Sequence, residues 1–416
     1  MGRDALRENA TLAALSGPAG TMSLLIPLYL SYLGYQVGII GAVLAFSSVA
    51  TLLSRALVPK LYKPERSRLL LIAVLLGGAV TFAIMPWMPN LPLFMVVLVM
   101  NRILFGLATT FFLARYLDAM GASTDRRRAM GYYGGTQAVG YTSSNAIVGL
   151  VADFMGYEAA FLYGTVFSTL AVILLLISPE LAPRLASRTG EGAPKVQGGI
   201  RGWLHSAADP GLWSVINVGC WNNLIHIVLV SFFPVFASQI NLGPAQVGLT
   251  RSLYSGLNAV GRPLAGVVMG RASIKTVVYV GLTIQTALLF TLPFMHEFVT
   301  ILPVFLLVGA TRSVVVVANS VQLVEEVDET RVSRGLATSV YSTTGDVSNI
   351  AAPALAGTIA SLVGVSGMFS LMAGIAFGGF LAGDLAIQRW RRRVRSERAA
   401  DPVPPILTAS SQADTV

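Results

Sequence analysis

Long apolar segments alternate with short polar ones along almost the whole chain of 416 residues. An α-helix needs about 20 apolar residues to cross the hydrocarbon core of a bilayer. Links such as 34–37, 88–90 and 296–298 are so short that consecutive helices must run antiparallel. The pattern predicts an all-α membrane protein with twelve transmembrane helices. The predicted spans are 11–33, 38–58, 68–87, 91–113, 129–152, 159–178, 211–237, 246–268, 276–295, 299–322, 335–361 and 367–387.

One segment, 179–210, interrupts this pattern because it is long and rich in Pro, Gly and charged residues, a composition typical of linkers. It divides the chain into an N-terminal six-helix bundle (1–178) and a C-terminal six-helix bundle (211–388). The remaining residues, 389–416, are basic, and we expect them to form a disordered cytoplasmic tail.

Weak internal similarity indicates that the two bundles are pseudo-symmetric repeats. The sequence LGYQVG at 33–38 opens span two, and LGPAQVG at 242–248 opens span eight. Gly140 in span five has a counterpart in Gly345 of span eleven, at a similar distance from the start of its span.

Charge supports the same topology. Hydrophobic residues make up 54% of the chain and charged residues only 12%, whereas about a quarter of a soluble domain is charged. Twenty-four of the 29 Lys and Arg residues fall on one side of the twelve-span pattern, and the links on the other side contain none. Because loops rich in Lys and Arg remain on the cytoplasmic side of a membrane, we expect a multi-pass protein of the plasma or bacterial inner membrane with both termini in the cytoplasm. The net charge of +9 therefore indicates orientation rather than a nucleic-acid partner.

Few charges remain inside the spans. Arg102 and Arg312 lie near mid-depth in spans four and ten, which correspond in the two halves. Asp346 is the one acidic residue at mid-depth, and His226 is the one histidine at that depth. A charge inside the membrane costs roughly 2.5–3.5 kcal/mol on insertion scales, so each is a functional hypothesis. A proton-driven transporter needs a titratable group that both sides can reach, and Asp346 and His226 are the candidates.

Helical spacing adds other polar residues to the same faces, because residues three, four and seven apart lie on one side of a helix. Polar faces on several helices are too costly to meet lipid and imply a shared central cavity. The predicted substrate and proton path comprises Arg102, Gln137, Tyr141, Asn145, Asn222, His226, Arg312, Asp346 and Asn349.

Structural roles are the alternative for these residues. Arg312 and Asp346 could form a buried ion pair, and Arg102 could brace neighbouring backbone carbonyls. Span five carries a polar stripe that could serve hydrogen bonding between helices, and its members are Tyr133, Gln137, Tyr141 and Asn145.

Three further arginines lie towards the span ends. Arg55 and Arg262 are near the inner ends, which indicates a gating or structural role. Arg251 is about two turns from the outside, and we expect it either to attract substrate or to extend its charged end to the surface.

The six-plus-six arrangement with a central linker resembles the major facilitator superfamily over essentially the whole chain, about 5–400. The sequence NRILFGLA at 101–108 is similar to the R-x-x-x-G signature of that family, with Arg102 and Gly106 at its defined positions. In proton-driven drug exporters of the superfamily this arginine is implicated in proton coupling. The resemblance thus implies a secondary transporter, with Gly106 in a gating or structural role.

Two other family signatures are only partly kept. In the loop after span two, 54–68 lacks the expected glycine and aspartate, whereas its second-half counterpart, 261–275, keeps Gly266 and Arg271. The resemblance therefore implies a gating or structural role for Arg271. The span-five exporter signature G-x-x-x-G-P-x-x-G-G is not matched by 134–149, which has no proline.

We therefore predict a secondary active transporter that moves a small organic solute by alternating access, in the form of proton-coupled export. The alternatives are proton-coupled transport of an organic anion, and a non-transporting membrane sensor or assembly factor on the same fold. We expect no enzymatic activity, no cofactor and no metal site, and no G-x-x-x-x-G-K-[ST] motif for ATP binding occurs. The expected partners are the substrate, protons and lipid, and the expected working unit is a monomer.

Overall fold

The computed structural model describes residues 3–61, 66–119, 126–177, 210–269, 273–330 and 334–400. These residues form helices and contain no strand. In chain order the helices are α1 (Arg3–Tyr32), α2 (Val37–Leu61), α3 (Ser67–Ile84), α4 (Leu91–Ala119), α5 (Arg126–Met155), α6 (Tyr157–Ile177), α7 (Pro210–Gln239), α8 (Pro244–Met269), α9 (Ile274–Thr291), α10 (Phe298–Thr330) and α11 (Arg334–Ala400). Short 3-10 turns, Met85–Trp87 and Leu292–Phe294, follow α3 and α9.

The last helix differs from the expected pair of spans, 335–361 and 367–387, because it runs without a loop from Arg334 to Ala400. It is divided at Gly364, whose φ of 77° and ψ of 169° are not helical. A positive φ is open to glycine at little steric cost, so the chain changes direction here without a separate loop. Residues 389–400 continue this helix, so the expected disorder does not apply to them.

Nine helices of the described part of the chain are long and apolar enough to cross a membrane. The two that fall short of this apolarity are α5 and α8. Both carry polar residues at helical spacing, such as Tyr141 in α5 and Asn258 in α8. These two helices pack against each other, so their polar residues can lie inside the bundle, away from lipid.

We call the end of the bundle at which α1 begins the inner end, and the end at which α1 ends the outer end. The share of each span buried within the protein varies widely: 83% for α1 and 72% for α7, but 33% for α3. The helices α1 and α7 therefore form the centre of the molecule. By contrast, α3 lies at the periphery, where a membrane would cover its apolar side chains.

The helices before residue 178 meet those after residue 209 along three contacts, in which α2 packs on α11, α5 on α8 and α1 on α7. Near the outer end two of these contacts are glycine to glycine. A Cβ on Gly41 would lie 2.6 Å from the Cα of Gly357, and one on Gly149 would lie 2.8 Å from the Cα of Gly248. Small residues let helix backbones approach this closely, so the outer end is tightly closed.

Candidate functional site

A cavity of about 740 Å³ lies between the two sets of helices. Its wall is formed by α1, α4 and α5 on one side and by α7 and α8 on the other. Exposed residues, among them Gln137 and Arg262, line it towards the inner end. The cavity therefore opens at the inner end and is closed by the glycine contacts at the outer end. Its lining residues are Ser16, Ala19, Phe105, Gly134, Gly135, Gln137, Ala138, Tyr141, Thr142, His226, Ser255, Asn258, Ala259, Arg262 and Pro263.

The charge of this lining is one-sided. Among the described residues that line the cavity, Arg262 is basic and none is acidic. His226 lies at the cavity wall, and Arg251, Arg262 and Arg312 are all close enough to act on it electrostatically. A cavity whose described lining has a basic residue and no acidic one favours an anionic ligand.

His226 is held by a neighbour on α8. Its Nδ1 atom lies 2.6 Å from the hydroxyl oxygen of Tyr254, and the two rings are stacked with centroids 5.6 Å apart. Tyr254 is completely buried. The hydrogen bond fixes the orientation of the imidazole ring, which presents its other edge to the surroundings of the cavity.

Arg251 lies in the interior, with only 1% of its surface exposed. Its Nη1 atom donates to the carbonyl oxygen of Ser23 at 2.7 Å, and its Nη2 atom donates to Ser23 Oγ at 2.9 Å and to the hydroxyl oxygen of Tyr141 at 3.2 Å. The expectation that Arg251 reaches the outer surface is wrong, because these partners on α1 and α5 hold the guanidinium between the helices.

Arg312 is also buried, and it binds α7. Its Nη1 atom donates to the carbonyl oxygen of Asn222 at 2.7 Å, and Nη2 donates to Asn223 Oδ1 at 3.0 Å. Asn222 is buried, and its side-chain oxygen has no hydrogen-bond partner within the described part of the chain. Arg312 thus joins α10 to the middle of the central helix α7.

Arg102 contrasts with these two arginines. It is half-buried, and no hydrogen bond or ion pair joins it to any other described residue. The alternative that it braces backbone carbonyls is therefore contradicted within the described residues. Arg102 is not among the residues that line the cavity, but Tyr141, which does line it, is close enough to act on Arg102 electrostatically. A guanidinium without a partner next to the cavity is a candidate binding group for a ligand.

Three other predicted residues do not line the cavity. Asn145 is buried in α5 and donates to the carbonyl oxygen of Tyr141 at 2.9 Å. Asp346 is half-buried in α11, where a Cβ on the preceding Gly345 would lie 3.8 Å from Asn223 Nδ2. Asn349 is exposed, and it donates to the carbonyl oxygen of Gly345, in its own helix, at 2.9 Å.

The predicted gating residues are distributed differently. Arg262 is exposed at the inner mouth of the cavity. Gly106 packs α4 against α2, because a Cβ there would collide with Ser54 and Thr51. Arg271 and the side chain of Arg55 lie outside the part of the chain that the structure describes.

Sequence reasoning missed Ser23, Tyr254 and Asn258. Ser23 and Tyr254 bind Arg251 and His226, and Asn258 lines the cavity. Ser23 gives no signal in the sequence because single serines are common in membrane helices. Tyr254 and Asn258 lie four residues apart, on one face of α8, and that spacing could have indicated them.

The described residues contain no cluster of three His, Cys, Asp or Glu side chains that could hold a metal ion. The site therefore offers hydrogen bonds, positive charge and one imidazole. These groups are suited to binding a solute.

Solved structures with the same fold include three transporters. The nucleoside transporter NupG has a TM-score of 0.70 at 14% identity, over 93% of this chain and 99% of that chain. A bacterial homolog of the human lysosomal transporter Spinster, inward-facing and unoccupied, has a TM-score of 0.74 at 12% identity, over 93% and 97%. A POT family transporter in complex with a thioalcohol conjugated peptide has a TM-score of 0.73 at 10% identity, over 93% and 96%.

At these identities the solved structures establish the fold alone. No curated protein matches the sequence significantly. The sequence model of the Major Facilitator Superfamily matches residues 66–333, which is more than half of the chain. With the all-helical fold and the transporter neighbours, this match indicates a multi-pass membrane transporter rather than an enzyme. The chain belongs to the Major Facilitator Superfamily.

Proposed function

We propose that the protein is a secondary active transporter that moves a small organic solute by alternating access, with the central cavity as its binding site. The main observation that supports this proposal is the cavity. It lies between the two sets of helices and is open at the inner end and closed at the outer end. In this proposal the structure is the inward-open state. Rocking of the two sets of helices against each other would close the inner end and open the outer one.

The proposed topology is that of two pseudo-symmetric six-helix bundles, 1–178 and 211–388. The division of α11 at Gly364 supports a count of twelve spans. The pairing of α2 with α11 and of α5 with α8 also supports it, because a two-fold exchange of the bundles turns one contact into the other. The distribution of basic residues supports cytoplasmic termini in a cell membrane.

The geometry favours an organic anion as the substrate over a neutral or cationic solute. Arg102 has no partner among the described residues, Arg262 lines the cavity, and no described lining residue is acidic. Leaving a guanidinium unpaired away from water is costly, so a ligand that supplies the counter-charge gains binding free energy. In this proposal Arg102 and Arg262 bind the anionic group, and Gln137 and Asn258 bind other polar groups.

Proton coupling is the second part of the proposal, with Asp346 as the proton carrier and His226 as an additional titratable group. Both are at mid-depth, where a carboxylate or an imidazole is costly without a function. Export is the proposed direction, on the resemblance of 101–108 to the exporter signature. A non-transporting sensor would need neither group.

The test is transport by the purified protein in proteoliposomes with an imposed pH gradient. Candidate anions are first selected by their ability to raise the melting temperature, since a ligand that binds the folded state stabilises it. The proposal expects uptake or release that depends on the gradient, and Asp346→Asn is expected to remove that dependence. Asp384→Asn is the matched control, because Asp384 belongs to the same helix but lies nearer its inner end, where it accepts hydrogen bonds from Tyr279 and Gln388. Intact gradient-driven transport in Asp346→Asn would contradict the proton role, and binding of cationic solutes alone would contradict the anion.

A further inference from the structure

Three helices meet at Arg251, and an alternating-access cycle must separate one of them from the other two. The guanidinium belongs to α8, while its partners Ser23 and Tyr141 belong to α1 and α5, on the other side of the cavity. Arg251 is seven residues from the outer end of α8, which corresponds to about 10 Å along a helix. The contact therefore lies between the cavity and the closed outer end.

The hydrogen bonds of this contact form a closed triangle. Ser23 Oγ donates to the carbonyl oxygen of Gly20 at 2.9 Å, so its single proton is already used. The hydroxyl of Tyr141, 2.8 Å from Ser23 Oγ, must then be the donor in that pair. Arg251 donates to both oxygens. Each of the three side chains thus depends on the other two for its partners.

The contact is suited to repeated opening. The described residues provide no acid for Arg251, whose partners are neutral, and its Nε atom has no partner among them. Burying a guanidinium removes its hydration, and the three hydrogen bonds offset that cost only in part. When the helices part, water replaces the lost partners. Opening therefore leaves no guanidinium buried without partners.

We propose that Arg251, Ser23 and Tyr141 form a latch that holds the outer end closed while the cavity is open to the inside. This inference rests on the proposed alternating-access function. Tyr141 has a second place in it, because the same residue lines the cavity beside Arg102. The latch therefore shares a residue with the proposed binding site.

The experiment measures opening of the outer end without any substrate, so its result is independent of whether transport is found. Cys220 is the one cysteine of the chain, and it is replaced by serine. A reporter cysteine is introduced by Ser252→Cys on α8. Ser252 is buried, and its hydroxyl donates across the contact to the carbonyl oxygen of Thr142 at 2.9 Å. A membrane-impermeant maleimide, added on the side away from the termini, reaches this position only when the outer end opens.

Ser23→Ala and Tyr141→Phe each remove one member of the triangle, whereas Arg251→Ala would empty a buried site and endanger folding. A hydrogen bond to a charged group is among the stronger ones in proteins. We expect each of the two variants to raise the labelling rate about tenfold, which corresponds to about 1.4 kcal/mol in the opening equilibrium.

Thr21→Ala is the matched control. The Thr21 hydroxyl is buried and hydrogen-bonded to Ser144 Oγ at 2.9 Å, which joins α1 to α5 on one side of the cavity only. This variant is expected to label at the rate of the parent. Equal labelling rates in Ser23→Ala, Tyr141→Phe and the parent would overturn the latch, as would an equally large rise in Thr21→Ala. Absence of transport with an intact effect on labelling would contradict the proposed function and leave the latch in place.

Discussion

Arg102 and Arg312 occupy corresponding spans of the two halves at similar depth, yet their surroundings differ. Arg312 donates to the carbonyl oxygen of Asn222 and to the side chain of Asn223, and thereby joins α10 to α7. Arg102 has no hydrogen bond or ion pair with any described residue, and it lies near Tyr141 at the cavity. Similar positions in the sequence therefore do not imply similar surroundings. In the proposed function, Arg312 joins helices of the fold and Arg102 binds the ligand.

The largest expected effect is at Arg102, where a substitution should change ligand binding but not lower stability. Arg102→Ala should weaken binding of the transported anion about a hundredfold, because removal of one partner of a buried charge pair costs several kcal/mol. The melting temperature without ligand should stay the same or rise, since the variant loses an unpartnered guanidinium. Substrate affinity and thermal unfolding of the purified protein measure the two effects.

The matched control for this variant is Asn101→Ala in the same helix. Asn101 donates to Thr81 Oγ1 at 2.6 Å and to the carbonyl oxygen of Gly78 at 3.2 Å, both in α3. It should lower the melting temperature and leave affinity unchanged. An unchanged affinity in Arg102→Ala, or a loss of stability as large as that of Asn101→Ala, would contradict the proposal that Arg102 serves binding rather than stability.

The next effect concerns Arg312. Arg312→Ala should destabilise the folded protein by about 2 kcal/mol, because it removes two buried hydrogen bonds to a charged group. Arg312→Lys should recover only part of this, since one ammonium cannot reproduce the planar arrangement of two donors. Denaturant-induced unfolding in detergent measures the free energy of unfolding of both variants. Wild-type stability in Arg312→Ala would mean that the contact with α7 contributes nothing to the fold.

The sequence predicted an all-helical membrane protein correctly because the length of the apolar segments is a global constraint of a bilayer. It placed the break between the last two spans within 362–366, where Gly364 divides α11. Of the nine residues that it predicted for the substrate and proton path, His226, Gln137 and Tyr141 line the cavity, and the other six do not.

The sequence did not reveal the hydrogen-bond partners of the buried arginines. The partners of Arg251 are more than a hundred positions away along the chain, on α1 and α5. Such contacts depend on the rotation and tilt of packed helices, which side-chain packing decides. Depth alone made Arg102 and Arg312 equivalent and left two alternatives open for Arg251. Only the packing distinguishes them.

The smallest expected effect tests whether Arg312 influences the cavity through His226. Tyr254→Phe removes the hydroxyl that lies 2.6 Å from His226 Nδ1 and leaves the stacked ring in place. Loss of one buried hydrogen bond costs about 1 kcal/mol, so substrate affinity should fall about fivefold as the imidazole loses its fixed orientation. Ring stacking and the contacts of Arg312 are retained, so the melting temperature should change much less than in Arg312→Ala. His226→Gln in the Tyr254→Phe background should then cause no further loss of affinity if the hydroxyl acts through His226. Additive losses would show that Tyr254 and His226 act on the ligand separately, and the difference between the two arginines would not extend to this pair.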